Sequence, residues 1–145
     1  FFRDKAVLFY EKIRAEEEGY TNVKKTLDRI KEKPIFFKID IEGYEYQILD
    51  EIILNSELLS GMVIEFHNIY DHIDEIRTFI NNFELTLVHV HPNNNRIDDQ
   101  GNPRAIEMSF ARNPEKLSES SVLPHPLDQL NVPRKEAVSL RFINS

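Results

Sequence analysis

Residues 35–55 read IFFKIDIEGYEYQILDEIILN. The opening IFFKIDI is a short, nearly continuous apolar run, which is how a strand buried on both faces of a parallel sheet reads. Gly43 breaks the run. From residue 44 to 55 the spacing changes to that of a helix, with Ile48, Leu49, Ile52 and Ile53 on one side. Strand, tight turn and helix in that order open a βαβ unit.

Working downstream, residues 61–67 (GMVIEFH) form a second apolar run that ends on a polar pair. Residues 71–83 (DHIDEIRTFINNF) are helical again, with Ile73, Ile76, Phe79, Ile80 and Phe83 on one side and Asp71 suited to cap the first turn. Residues 84–91 (ELTLVHVH) alternate as a strand, placing Leu85, Leu87, His89 and His91 on one face. The stretch 92–103 (PNNNRIDDQGNP) is a loop by composition. Alternation returns in 105–111 (AIEMSFA), with Ile106, Met108 and Phe110 inward. Beyond residue 113, Pro114, Pro124, Pro126 and Pro133 prevent regular structure until VSLRF at 138–142 offers a last short strand.

Upstream, residues 3–18 are expected to be a helix with Val7, Leu8, Tyr10 and Ile13 along one side, stopping near Gly19. A short helix follows, capped by Thr26, with Leu27 and Ile30 inward and Pro34 ending it. The order β-α-β-α-β-loop-β predicts an α/β domain of parallel strands ending in an antiparallel strand pair, since no helix separates the last two strands. We divide the chain into a helical segment 1–33, an α/β core 34–112 and a proline-containing tail 113–145.

The bulk numbers bound the function. A chain of 145 residues, 41% hydrophobic and 30% charged, is one globular domain's worth. Its net charge of -7 and lack of a basic block argue against nucleic acid as the main partner, because the densest run (residues 24–33) is interrupted by Asp28 and Glu32. No apolar stretch approaches the ~20 residues of a membrane span. There is no cysteine and no secretory leader pattern, so a cytoplasmic protein is expected.

Ligands of open α/β sheets bind beyond the carboxyl ends of the strands. In this chain those ends carry Asp40, Glu42 and Gly43; then Glu65, His67 and Asn68; then His89, His91, Asn93 and Asn94. If the three strands are parallel, these groups share one rim. Plain structural roles compete with a site: Asp40 as a helix cap, Gly43 as a turn former, Lys38 as the ion-pair partner of Asp40, and Glu65 paired with His67 two residues on. His89 reads as a satisfied strand histidine, and His72 and His125 as incidental. No metal site is assigned, because HxH and ExH are short and common. A rim histidine or carboxylate suits general acid–base work on a hydroxyl.

KIDIEGYE (residues 38–45), preceded by TLDRI (26–30), resembles the signature of FkbM-family methyltransferases. MVIEFHN (62–68), HVHPNNN (89–95), PRAIEMSFAR (103–112) and PHPLDQLNVP (124–133) are similar to later segments of the same family, in the same order. The resemblance implies the C-terminal half of a Rossmann-like class I methyltransferase fold, S-adenosylmethionine as cofactor, and a small-molecule hydroxyl acceptor on a sugar, lipid or secondary metabolite. It implies that Asp40 and Glu42 lie beside the cofactor or acceptor. Glu65, His67 and His91 would line the acceptor pocket as catalytic groups, with Asn68, Asn93 and Asn94 as substrate contacts.

The family's acidic glycine-rich cofactor turn has no counterpart in the 37 residues before Lys38, so the adenosine-gripping half is expected to lie outside this sequence. Two other readings stay open. One is a non-catalytic half-domain used in binding or assembly, for which a homodimer is expected because its first strand would be a free sheet edge. The other is a small metal-dependent enzyme built on the histidine–carboxylate rim.

Overall fold

The computed structural model describes residues 22–115, 123–126 and 128–140. The helix expected at 3–18 lies outside the described residues. Helix α1 (Val23–Asp28) begins four residues earlier than expected, because Asn22, not Thr26, caps it: its side chain accepts the Lys25 N–H at 2.8 Å. Thr26 sits inside the helix, buried, with its hydroxyl donating to the Asn22 carbonyl. The helix ends at Asp28, well short of Pro34.

Strand β1 (Ile35–Ile39) runs into a 3-10 turn (Glu45–Ile48) continuous with α2 (Leu49–Leu54). Another 3-10 turn (Ser56–Leu58) leads into β2 (Leu59–His67), and a third (Ile69–Asp71) into α3 (Ile73–Asn82). The last described elements are β3 (Thr86–Pro92) and β4 (Ala105–Ala111). Asp71 falls in the 3-10 turn rather than at the cap of α3, a place taken by His72. Asp74 and Glu75 supply the negative charge that favours the helix N-terminus. The expected strand at 138–142 does not form over 138–140; the remainder lies outside the described residues.

Among the described residues the sheet has four strands in the order β1-β2-β4-β3. β1 and β2 are parallel, whereas β4 is antiparallel to both β2 and β3. β3 therefore runs in the direction of β1 and β2, and the carboxyl ends of all three share one rim. Ile35, Phe37 and Ile39 of β1, Met62, Ile64 and Phe66 of β2, and Ile106, Met108 and Phe110 of β4 form the apolar face, continuous with buried residues of α1, α2 and α3. Phe79 of α3 and Phe83, the residue just after that helix, clasp Phe110, with ring centroids 5.7 and 5.2 Å away. Two backbone N–H groups at the start of α1, those of Val23 and Lys24, are capped by Glu51 of α2, which ties these helices together.

The opposite face is polar, and this overturns the reading of β1 as buried on both sides. Its exposure alternates, and Phe36 is 57% exposed. β1 lies at the sheet edge, and the described helices pack on the other face. Phe36 nevertheless covers the neighbouring strand, lying over Gly61, where an added Cβ would come within 3.0 Å of its ring. Lys38, on the same face, pairs with Glu107 of β4 at 3.1 Å and not with Asp40. The tail from 123 to 140 has no regular structure over its described residues, as its prolines require. Buried Asn94 fastens it, donating to the carbonyls of Val132, Lys135 and Glu136 and accepting the Val132 N–H.

Candidate active site

The turn after β1 uses two left-handed residues in succession, Glu42 (φ 55°) and Gly43 (φ 101°). Gly43 adopts this conformation without penalty; Glu42 does so against the usual steric cost. The chain thereby folds back on Glu45, which is 0% exposed. One carboxylate oxygen of Glu45, Oε1, accepts the N–H groups of Ile41 (3.2 Å) and Gly43 (3.1 Å). The same oxygen meets Nδ1 of His67 at 3.0 Å. Burial opposes ionisation of Glu45, but the bonds from His67 and from the Gly43 N–H outweigh it and hold the carboxyl below its usual range.

His67 ends β2 and is itself buried. Its bond to Glu45 raises its pKa above the ordinary 6.5, against the opposing effect of burial, and the charges of Glu45, Glu65 and Glu42 add to the rise. The Tyr46 hydroxyl donates to the His67 carbonyl, and the Tyr46 ring stacks on His72 with centroids 3.7 Å apart. Burial, with the negative charges of Glu45, Glu75 and Asp71, raises the Tyr46 pKa and keeps it a donor. His67 is thus fixed at both its backbone and its Nδ1. Its Nε2 lies 3.7 Å from Glu42 Oε2 and 4.0 Å from both Asp40 Oδ1 and Glu65 Oε1.

An imidazole whose Nδ1–H is given to a buried carboxylate presents a lone pair at Nε2. That atom can take a proton, and the surrounding carboxylates stabilise the imidazolium that results. Ligand atoms of Asp40, Glu42 and His67 also lie within 4.8 Å of one another, a spacing able to hold a divalent cation.

The structure thus gathers Asp40, Glu42, Glu65 and His67 at one mouth. Asn93 joins them by donating to Glu65 at 2.6 Å, and Arg96 pairs with Glu42 at 3.1 Å. Asn68 occupies an exposed left-handed position just past β2. Two residues expected there stand apart. His91 is aligned with Glu107, the residue that separates it from Glu65 across β4, and it faces Asp128 and Asn131 of the tail. Asn94 is buried as the tail's anchor and is closed to a substrate. Asp40 does not cap the following helical turn, whose cap position is Tyr44, without a side-chain bond.

Glu45 is absent from the residues that the sequence marks out, although it closes the motif KIDIEGYE. Its signal is its spacing: Glu45, Ile48, Leu49 and Ile52 fall at i, i+3, i+4 and i+7, which puts a carboxylate on the buried side of a helical segment. Tyr46 carries no comparable mark.

A buried carboxylate–histidine pair at the strand ends of an α/β sheet defines a class of arrangement, one whose chemistry permits proton transfer at a rim. The particular family comes from comparison with known proteins. The methyltransferase FkbM domain matches this chain over residues 10–86, more than half of the 145, and the chain belongs to that family. Glu45 and His67 lie inside the matched region; β4 and the tail lie beyond it. No curated protein and no solved structure matches the chain. Among the described residues no helix is long and apolar enough to cross a membrane.

Proposed function

We propose that this chain contributes the acceptor side of an S-adenosylmethionine-dependent O-methyltransferase, with His67 as general base and Glu45 as the group that orients it. The observation that carries the reading is the Glu45–His67 hydrogen bond at the carboxyl end of β2, inside the family's matched region. The parallel pair β1–β2 followed by an antiparallel hairpin supports a Rossmann-like methyltransferase fold. S-adenosylmethionine, when bound, supplies an electrophilic methyl group. Asp40 and Glu42 fit its cationic methionine end, being exposed carboxylates at the open end of β1. The grip on the adenosine comes, in this reading, from elements other than those described. A hydroxyl of a small-molecule acceptor approaches His67 Nε2, Asn93 and Glu65 bound it laterally, and Nε2 takes its proton as the oxygen is methylated. His91 and Asn94 are excluded from this machinery by their positions. The cysteine-free composition suits a cytoplasmic setting.

The test is calorimetric titration with S-adenosylhomocysteine, followed by transfer of a labelled methyl group to sugar, lipid and phenolic hydroxyls. Binding that weakens in Asp40→Asn is the expected result. Absence of binding at millimolar ligand would transfer the weight to a second reading, an assembly half-domain, which the edge position of β1 among the described strands and the exposed Phe36 favour. Sedimentation then decides: a strictly monomeric protein dismisses that reading.

A further inference from the structure

We propose that His89, His91 and Asp128 form a binding site for a divalent transition-metal ion, of which Zn²⁺ is the natural probe, and that the ion fastens the segment after residue 122 to β3. The inference stands apart from the transferase reading. Its residues lie beyond the matched 10–86, and β4 separates β3 from β2, which places the site roughly 10 Å from the His67 mouth at ordinary strand spacing.

The donor set is the first observation. His89 and His91 lie opposite Ser109 and Glu107 on the polar face of the sheet, and both reach the same carboxylate. His89 Nε2 is 2.8 Å from Asp128 Oδ1, and His91 Nδ1 is 3.5 Å from Oδ2. The three ligand atoms lie within 4.8 Å of one another. Two imidazoles and one carboxylate are a borderline-soft set that suits Zn²⁺ and its neighbours rather than Ca²⁺ or Mg²⁺.

The second observation is the state of His91. Its Nε2 is 3.1 Å from Asn131 Oδ1, an oxygen that can only accept, so Nε2 carries the hydrogen. In the neutral ring Nδ1 is then a bare lone pair. That atom is buried without a hydrogen-bond partner, in a side chain only 12% exposed, and it points at a carboxylate oxygen. Two acceptors facing each other make a place that a cation would satisfy. A proton on Nδ1 fits poorly, since 3.5 Å exceeds the N–H···O range. A metal fits well: ligand atoms about 2.0–2.2 Å from Zn²⁺ stand roughly 3.3–3.6 Å apart along a tetrahedral edge. The Asn131 bond is the outer support that orients a ligating histidine, and the His125 N–H, 2.7 Å from Oδ2, does the same for Asp128.

Metal-free protein titrated with Zn²⁺ by calorimetry, and with Co²⁺ by visible absorption, tests the site. One equivalent at micromolar affinity or tighter is expected, with the intense Co²⁺ bands of a low-coordinate nitrogen–oxygen site and slower proteolysis after residue 122. His91→Ala and Asp128→Asn should abolish binding, while Asn131→Ala, which leaves all three ligands in place, should weaken it about 10–100-fold. Glu42→Gln should bind as wild type. The proposal is overturned by substoichiometric binding, by unaltered affinity in a folded Asn131→Ala protein, or by loss in Glu42→Gln with retention in His91→Ala, which would put the ion at the other cluster.

Discussion

The Glu45–His67 pair is where residue chemistry has the sharpest consequences. If His67 is the base, His67→Asn should lower kcat by about 10²–10⁴-fold with little change in KM, measured by methyl transfer under saturating cofactor. Because the folded pKa of His67 is raised above 6.5, the acid limb of kcat/KM should lie above pH 6.5. The same pair sets a stability window. The lowered Glu45 pKa contributes stability that is present above its ordinary 4.5 and lost as pH falls through the folded value. The raised His67 pKa contributes stability that is present below 6.5 and lost as pH rises through the folded value. The stability difference between wild type and Glu45→Gln, from urea unfolding, should therefore peak between pH 4.5 and 6.5 and shrink on both sides. A pH-independent difference would remove the ion-pair description. Glu45→Ala should cost about 3 kcal/mol, since it strips His67, Ile41 N–H and Gly43 N–H of their shared acceptor.

Elements are legible in proportion to their periodicity. The apolar spacing of α2 and α3 can be read directly, because in each of them it reflects a single packed face. Ala105–Ala111 matches to the residue, since Ile106, Met108 and Phe110 alternate without interruption. Caps are less legible: Asn22 and Thr26 are both competent, and only the inward turn of Thr26 against the core separates them. The apolar run of β1 suggests burial on both faces, yet such a run does not reveal whether anything lies beyond the edge. In the turn after β1, Glu42 holds a left-handed conformation that serves position rather than stability. Glu42→Gly should leave the fold unchanged or up to about 1 kcal/mol more stable in urea unfolding, while lowering kcat/KM. A clear loss of stability would mean that its pair with Arg96 matters more than the exposed geometry suggests.

At the scale of the molecule, the tail is where sequence reasoning has least to hold. Asp128 meets His89 across 39 positions of chain, and no local pattern encodes such a contact. Asn94 reads as a substrate contact because it follows a strand end, yet its amide serves the tail's backbone. Asn94→Ala should speed hydrogen exchange across residues 128–140 and cost about 1–3 kcal/mol, with the protection of β2 and β4 lowered only by that global change. Uniformly faster exchange throughout the sheet would show instead that tail and sheet unfold as one.

The position of β4 bears on how the chain comes to be folded at all. β2 and β3 never touch through hydrogen bonds; each is completed by the strand that is synthesised after both. Among the described strands, a nascent chain stopped before residue 105 has the parallel pairing of β1 with β2 and leaves β3 unpaired. Assembly waits for β4 and then closes around it, which makes folding late, cooperative and dominated by pairings distant in sequence. Pulse proteolysis of ribosome-bound chains should show protection arising in a single step once residue 111 is free, and stepwise protection would contradict this order of events.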